Sequence, residues 1–278
     1  MSLEGSKILI TGAKGMLGHA LQDVFADLKP VTADLEQLDI TDKSAVDKYI
    51  DDLHPDLIIN AAAYTNVDQC ETDREACFKV NEQGPANLSQ AAAKIGAKIV
   101  HYSTDYVFPG TKSEGYVESD ETDPINAYGA SKLAGEKALQ NSNAQYFILR
   151  TAWLFGPHGK NFVDTMIKLG QEKDKLTVID DQTGSPTYTY DLARTTYDLL
   201  AGDYESGIYH ATNSEQTTWC KFAQEALRLK DIKTPVEPIT TDQYPTPAKR
   251  PQFSVLTNTK LPELRSWKEA LETYLKYN

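Results

Sequence analysis

No run of 18 apolar residues occurs in the chain, which excludes a membrane-spanning helix of ordinary length. Cysteine is scarce: Cys70, Cys77 and Cys220 are the only three. Three thiols cannot all pair with one another, and their scatter follows no metal-ligand spacing. The start of the chain has no secretory apolar core. These absences set the expectation of a reduced, cytoplasmic protein with no metal site, in which Cys70 and Cys77 serve as small apolar fillers. Positive charge is also short. Lys+Arg number 28 against 40 Asp+Glu, a formal charge of −12. Such a chain repels a phosphate backbone, so nucleic acid is not an expected partner. A small anionic substrate would need local cations inside its site.

What is present is ordinary globular composition, 40% hydrophobic and 24% charged over 278 residues. That length suits one large α/β domain, alone or with a smaller one attached. Lys7 to Thr11 reads as a buried strand that ends at Gly12. Met16 to Leu28 repeats apolar residues at helical spacing. A second strand follows over Val31 to Asp34, and Thr41 reads as the cap of a helix running to about Leu53. Leu57 to Ala63 is a near-continuous apolar strand, and Asp73 to Ile95 a long helix. Lys98 to Ser103, Tyr146 to Thr151 and Leu176 to Ile179 are further strands. Continuous apolar strands alternating with helices predict a doubly wound parallel sheet of the Rossmann type, covered on both faces. A smaller C-terminal lobe is expected to bind substrate. The expected division is residues 1–150 as the dinucleotide-binding domain, with 171–200 returning to it, and 151–170 and 201–278 as the lobe. Ligands in such sheets bind at the carboxyl ends of the strands.

The turn from the first strand into the first helix reads TGxxGxxG, from Thr11 to Gly18. Gly12 permits a tight turn, Gly15 a close approach to a pyrophosphate, and Gly18 close packing of helix on strand. With Met16 and Leu17 opening the helix, its free N–H groups face the phosphates. Asp34 closes the second strand, where a carboxylate accepts from the ribose hydroxyls of NADH but repels the extra phosphate of NADPH. Lys14 would offset that repulsion. Both are otherwise solvated surface charges. Asp39 and Ile40 flank the adenine position, and Ala61, Ala62 and Ala63 are small where a cofactor would cross the third strand's end.

Tyr128 and Lys132 form a YxxxK pair at the start of a helix, on one face. A lysine ammonium beside a phenol favours phenolate and lowers its pKa, so the pair suits proton transfer to a carbonyl oxygen. YxxxK alone is common by chance. Its position after the strand that ends in Thr104 is what carries weight, since that hydroxyl can reach the same oxygen. Asp105 either orients a substrate or only terminates the strand. His101 and His210 lie in strand-like runs and read as structural.

The runs YSTDYVFPG (102–110), NAAAYTNVD (60–68), YGASKLAGE (128–136), LRTAW (149–153), DQTGSPT (181–187) and YPTPAKRP (244–251) go further. On these the chain resembles the extended short-chain dehydrogenase/reductases and, within them, the dTDP-4-dehydrorhamnose reductase family. The resemblance implies reduction of the C4 ketone of a dTDP-4-keto-6-deoxy sugar, dTDP-4-dehydro-β-L-rhamnose, with NADPH or NADH for polysaccharide synthesis. It implies Thr104, Tyr128 and Lys132 as the catalytic set, with Lys132 also holding the nicotinamide ribose and Tyr64 at the cofactor. Thr65, Val67, Asp105 and Trp153 would line the sugar site, and Arg250 would meet the diphosphate. Trp153 is otherwise core, and Arg250 a surface ion pair. Some members of the family are dimers joined by Mg²⁺ through glutamates. Glu263, Glu269 and Glu272 lie near this chain's end without a secure alignment, so monomer and homodimer both stay open. The alternatives are a reductase of another nucleoside-diphosphate 4-keto sugar and a non-catalytic NADP-binding regulatory subunit of the methionine adenosyltransferase type.

Overall fold

A computed structural model describes residues 3–277. The strands are β1 (Ile8–Thr11), β2 (Val31–Ala33), β3 (Leu57–Asn60), β4 (Lys98–Thr104), β5 (Gln145–Thr151), β6 (Leu154–Phe155), β7 (Leu176–Ile179), β8 (Thr183–Gly184), β9 (Thr187–Tyr188), β10 (Gly207–His210), β11 (Thr217–Thr218) and β12 (Val236–Ile239). The helices are α1 (Met16–Val24), α2 (Lys43–Leu53), α3 (Val67–Thr72), α4 (Arg74–Phe78), α5 (Gly84–Ile95), α6 (Ala127–Gln140), α7 (Phe162–Glu172), α8 (Thr189–Ala201), α9 (Trp219–Leu229) and α10 (Trp267–Tyr277). No helix among the described residues is long and apolar enough to cross a membrane.

Six strands form one parallel sheet in the order β10-β5-β4-β3-β1-β2. Alternation within each strand divides its side chains between two cores. Ile8, Ile10, Leu57, Ile59, Val100, Phe147 and Leu149 face α1 and α8. Leu9, Ile58, Ile99 and Ile148 face α2, α5 and α6. Burial on both faces is why these strands read as unbroken apolar runs. β2 and β3 flank β1, so the order reverses there and opens a crevice at the carboxyl ends.

Several boundaries differ from the sequence reading. The second strand stops at Ala33, one residue short of Asp34. The cap of α2 is Asp42, whose carboxylate accepts from the N–H groups of Ser44 and Ala45, while Thr41 donates to Asp39. The third strand ends at Asn60, whose side-chain oxygen accepts the Ala62 N–H and turns the chain off the ladder. The helix read over Asp73 to Ile95 is α4 and α5 joined by a π-helical turn at Lys79–Gln83. β7 falls at its expected place but pairs with β12 outside the central sheet. What returns to the central layer is α8, packed on its first face, and β10, paired with β5.

Cys70 and Cys77 are not separate fillers. The bend between α3 and α4 brings their Cα atoms to 5.4 Å, and the two sulfurs are bonded as a disulfide. Cys220 is a free, buried thiol in the second lobe. That lobe packs α7, α9 and α10 around Phe155, Val163, Phe222 and Trp267.

One ion pair ties α6 to β5. Arg150 and Glu136 are each under 4% exposed and meet in a two-pronged contact at 2.9 and 2.7 Å. Removing one partner strands the other's charge in the interior. Glu136→Ala is expected to cost about 3–5 kcal/mol in urea unfolding; a loss under about 1 kcal/mol would show that water reaches Arg150.

Candidate active site

The glycine turn closes by backbone contact. At Gly12, whose φ is +69°, an added Cβ would stand 2.4 Å from the Ala62 nitrogen. At Gly18 it would stand 2.2 Å from the Gly12 oxygen. Gly15 differs, because its nearest atom would be 3.4 Å away. It faces open space, and as the cap of α1 it has no side chain to take the free N–H groups behind it. This cradle fits a pyrophosphate.

α6 approaches from the other side. Asn126 caps it, accepting from the Gly129 N–H at 2.7 Å and donating to the Lys249 carbonyl at 2.8 Å. A Cβ at Gly129 would fall 2.1 Å from the Tyr106 oxygen, so the helix rests directly on the turn that follows β4. Tyr128 thereby reaches Thr104. The two segments and the glycine turn enclose a cavity of about 540 Å³. Its walls include Gly15, Met16, Leu17, Ala61, Ala63, Tyr128 and Lys132 from the expected cofactor set. They also include all of Thr65, Val67, Thr104, Asp105, Trp153 and Arg250 from the expected sugar set.

The remaining expected residues lie apart from that lining. Asp34 braces the turn by accepting the Lys14 and Leu35 N–H groups, and the Lys14 ammonium pairs with Glu36. The Asp39 carboxylate holds Thr41, and the Ile40 side chain is core, pressed toward Gly84. Ala62 supports Gly12, and the Tyr64 backbone is clamped by both side-chain ends of Asn81. Trp153 adopts a left-handed φ of +46° and stacks on Trp219 at 3.5 Å and 9°. That indole face is therefore closed to a sugar. Arg250 is held by both oxygens of Asp68, at 2.9 and 2.8 Å, so its charge is already balanced. It stands on the seam with a second groove of about 560 Å³, walled by Phe162, Met166, Leu176, Val178, Gln182 and Tyr244, with Lys173 and Lys175 on its border. Among the described residues, no group of three or more His, Cys, Asp or Glu side chains is arranged to hold a metal.

The profile of the RmlD substrate-binding domain matches residues 6–278. The chain belongs to that family. A dTDP-4-dehydrorhamnose reductase of Burkholderia thailandensis is 39% identical, over 95% of this chain and 96% of that protein. The crystal structure of a dTDP-4-dehydrorhamnose reductase from Clostridium acetobutylicum is similar, with 44% identity and a TM-score of 0.94 over 98% of this chain and 99% of that one. The dTDP-4-dehydrorhamnose reductase of Bacillus anthracis, solved in complex with NADP, has 38% identity and a TM-score of 0.95, with the same coverage.

Burial sets the electrostatics of this RmlD-family site. It pushes the Tyr128 phenol up to about 12, helped by Asp105 and opposed by a hydrogen bond with Thr104. It pushes Lys132 down to about 8 against the pull of Glu136. The Lys132 nitrogen donates to the Tyr102 carbonyl at 2.6 Å and lies 3.3 Å from His101 Nε2. The lowered phenol pKa expected from an adjacent ammonium is thus absent from the balance at Tyr128. Burial also raises Asp105 to about 7, opposed by hydrogen bonds from Ser254 and Thr104. Sequence reasoning gave no role to Trp219, Tyr102, Tyr106 or the groove around Met166 and Tyr244. Tyr102, Tyr106 and Tyr244 lie inside runs already quoted for the family resemblance, whereas Trp219 and Met166 carry no local pattern and reach the site through α9 and α7. The TTW start of α9 is the nearest thing to a signal, placing an aromatic at a helix's first position.

In the unfolded chain Asp105 ionises near its ordinary ~3.9. The native state holds its proton to about 7. Its contribution to stability is therefore full at low pH and is lost as pH rises from 4 to 7. Asp105→Asn should melt progressively higher than wild type across that window and by a constant margin above it, read by thermal scans from pH 4 to 9. A margin independent of pH would place the carboxyl in water.

Proposed function

We propose that the chain reduces the C4 ketone of dTDP-4-dehydro-β-L-rhamnose with NADPH or NADH, giving dTDP-L-rhamnose. The observation that carries this reading is the meeting of Tyr128, Lys132 and Thr104 with the glycine turn in one cavity. The names of its relatives support the substrate. The cofactor, when bound, supplies the hydride to carbon. Tyr128 gives its proton to the ketone oxygen as the alcohol forms, and a phenol raised to about 12 is fully protonated and ready to donate at neutral pH. The Thr104 hydroxyl donates to Asp105 at 2.9 Å and must turn from it to donate to the same ketone oxygen. A proton on Asp105 eases that exchange. Lys132 holds the nicotinamide ribose through the hydrogens it does not give to Tyr102.

We assign the sugar to the space between Thr65, Val67 and the edge of Trp153, which Trp219 holds in place. Arg250, with Asp68 behind it, orients the diphosphate at the seam. The adjoining groove takes the nucleoside, whose base suits the apolar walls at Met166, Leu176 and Tyr244. The central sheet thus serves the cofactor, and β7, α7, α9 and the segment around Tyr244 serve the nucleotide sugar.

Pure protein incubated with dTDP-4-keto-6-deoxy sugar should consume NADPH or NADH, followed by absorbance; cofactor binding without turnover would point instead to a regulatory subunit. Tyr128→Phe should lower kcat at least about 10²-fold with cofactor affinity nearly unchanged. Turnover near wild type would show that another group is the acid. Asp34→Ala should shift preference from NADH toward NADPH, as the ratio of the two kcat/KM values. An unmoved ratio would mean that Asp34 only braces the turn.

A further inference from the structure

Two central strands end in a matched pair of threonines, and proton transfer to the ketone needs only the first of them. Thr104 closes β4 and Thr151 closes β5, and the two are register partners across the parallel ladder. Alternation puts both on the face that carries Val100 and Tyr102 along β4 and Phe147 and Leu149 along β5. Each is 6% exposed, and each stands in the wall of the active cavity. Their engagements differ. The Thr104 hydroxyl donates to Asp105 at 2.9 Å and accepts from the Tyr106 N–H at 3.2 Å. The Thr151 hydroxyl is buried with no hydrogen-bond partner in the protein. Ser103 is also unpartnered, but it stands on the opposite face of β4, level with Arg150.

A buried hydroxyl without a partner bears a desolvation cost that a ligand group can offset. The order of the sheet indicates which group. Away from the glycine turn it runs β1, β3, β4, β5. Neighbouring strands are about 4.8 Å apart, so β5 lies roughly 14 Å from β1. A dinucleotide with its pyrophosphate at Gly15 passes the small side chains of Ala61 and Ala63 after β3, then Thr104 of β4 and Lys132, which is bonded to the Tyr102 carbonyl. Its nicotinamide end reaches β5 last. That ring carries one polar substituent, a carboxamide, with an oxygen to accept and N–H groups to donate. A threonine hydroxyl can serve either end. The groups assigned to the sugar come instead from outside the central sheet. Thr65 and Val67 lie at the start of α3, Trp153 past the end of β5, and Arg250 in the C-terminal segment.

We propose that Thr151 is a cofactor-binding residue whose hydroxyl grips the carboxamide of the nicotinamide ring. This rests on the reading of the cavity as the dinucleotide site of a reductase. A ring held only through its ribose can turn about the bond that joins it to that sugar. A carboxamide pinned on β5 stops the rotation and keeps one face of the ring toward Tyr128 and the ketone. Thr104 and Thr151 thus divide one ladder position between them, the first meeting substrate and the second the cofactor.

Thr151→Val keeps the shape of the side chain and removes only the hydroxyl. Calorimetric titration compares NADH and NADPH with ADP-ribose and its 2′-phosphate, which keep both riboses and the pyrophosphate but lack the ring. The variant should bind the two dinucleotides about fivefold to tenfold more weakly, and the two ring-less ligands within about twofold of wild type. Equal losses on both sets, or no loss on either, overturn the proposal. So does a loss confined to dTDP-L-rhamnose, which would place the hydroxyl in the sugar site. Without ligand, the variant should melt at or above the wild-type temperature, because no bond within the protein is broken. A clear drop would show that the hydroxyl already has a protein partner, and this also overturns the assignment. In turnover, the KM for the dinucleotide should rise and kcat fall while the KM for the sugar nucleotide holds. If cofactor binding responds as expected but no keto sugar is turned over, the reductase reading falls and the assignment of Thr151 stands. If turnover is found and dinucleotide binding is blind to Thr151→Val, the assignment falls alone.

Discussion

The site depends on backbone meeting backbone with nothing between. Gly129 lets α6 rest on the Tyr106 carbonyl, and Gly18 and Gly12 let α1 and the end of β3 close on the first turn. Each contact would put a methyl group within about 2.4 Å of a main-chain atom if the glycine were alanine. These approaches fix how far the phenol of Tyr128 stands from the cradle at Gly15. Side-chain hydrogen bonds refine that spacing, but they cannot set it, because they act across gaps the main chain has already closed.

Burial then decides the chemistry. The cavity is small enough, and Tyr128, Lys132, Asp105 and His101 deep enough, that each is pushed toward its uncharged form. A protonated acid is what a carbonyl reduction needs at the start, since the proton must sit on Tyr128 before hydride arrives, and Lys132, at about 8, still carries its charge at neutral pH. Charge is kept where it is balanced, as in Arg150 with Glu136 and Arg250 with Asp68. An acidic chain thereby presents a guanidinium to its cavity without leaving it alone.

The fold and the reacting residues were legible to different degrees. Unbroken apolar strands announced a parallel sheet, and the TGxxGxxG and YxxxK spacings announced a turn and a helical pair, because those signals are local. The disulfide between Cys70 and Cys77 was not legible, since a seven-residue spacing closes only when α3 and α4 bend between them. The return of β10 to the sheet was also missed, because Gly207–His210 is four residues without a pattern of its own.

The sequence by itself determined the class of fold and the residue types of the reacting centre, since periodicity and motif spacing are properties of neighbours along the chain. Tertiary structure alone decided which face of Trp153 is covered, that Arg250 arrives already paired, and that His101 stands against Lys132. Each of these joins segments 31 to 182 residues apart, and pairings at that range follow from how the layers pack, which no local pattern encodes.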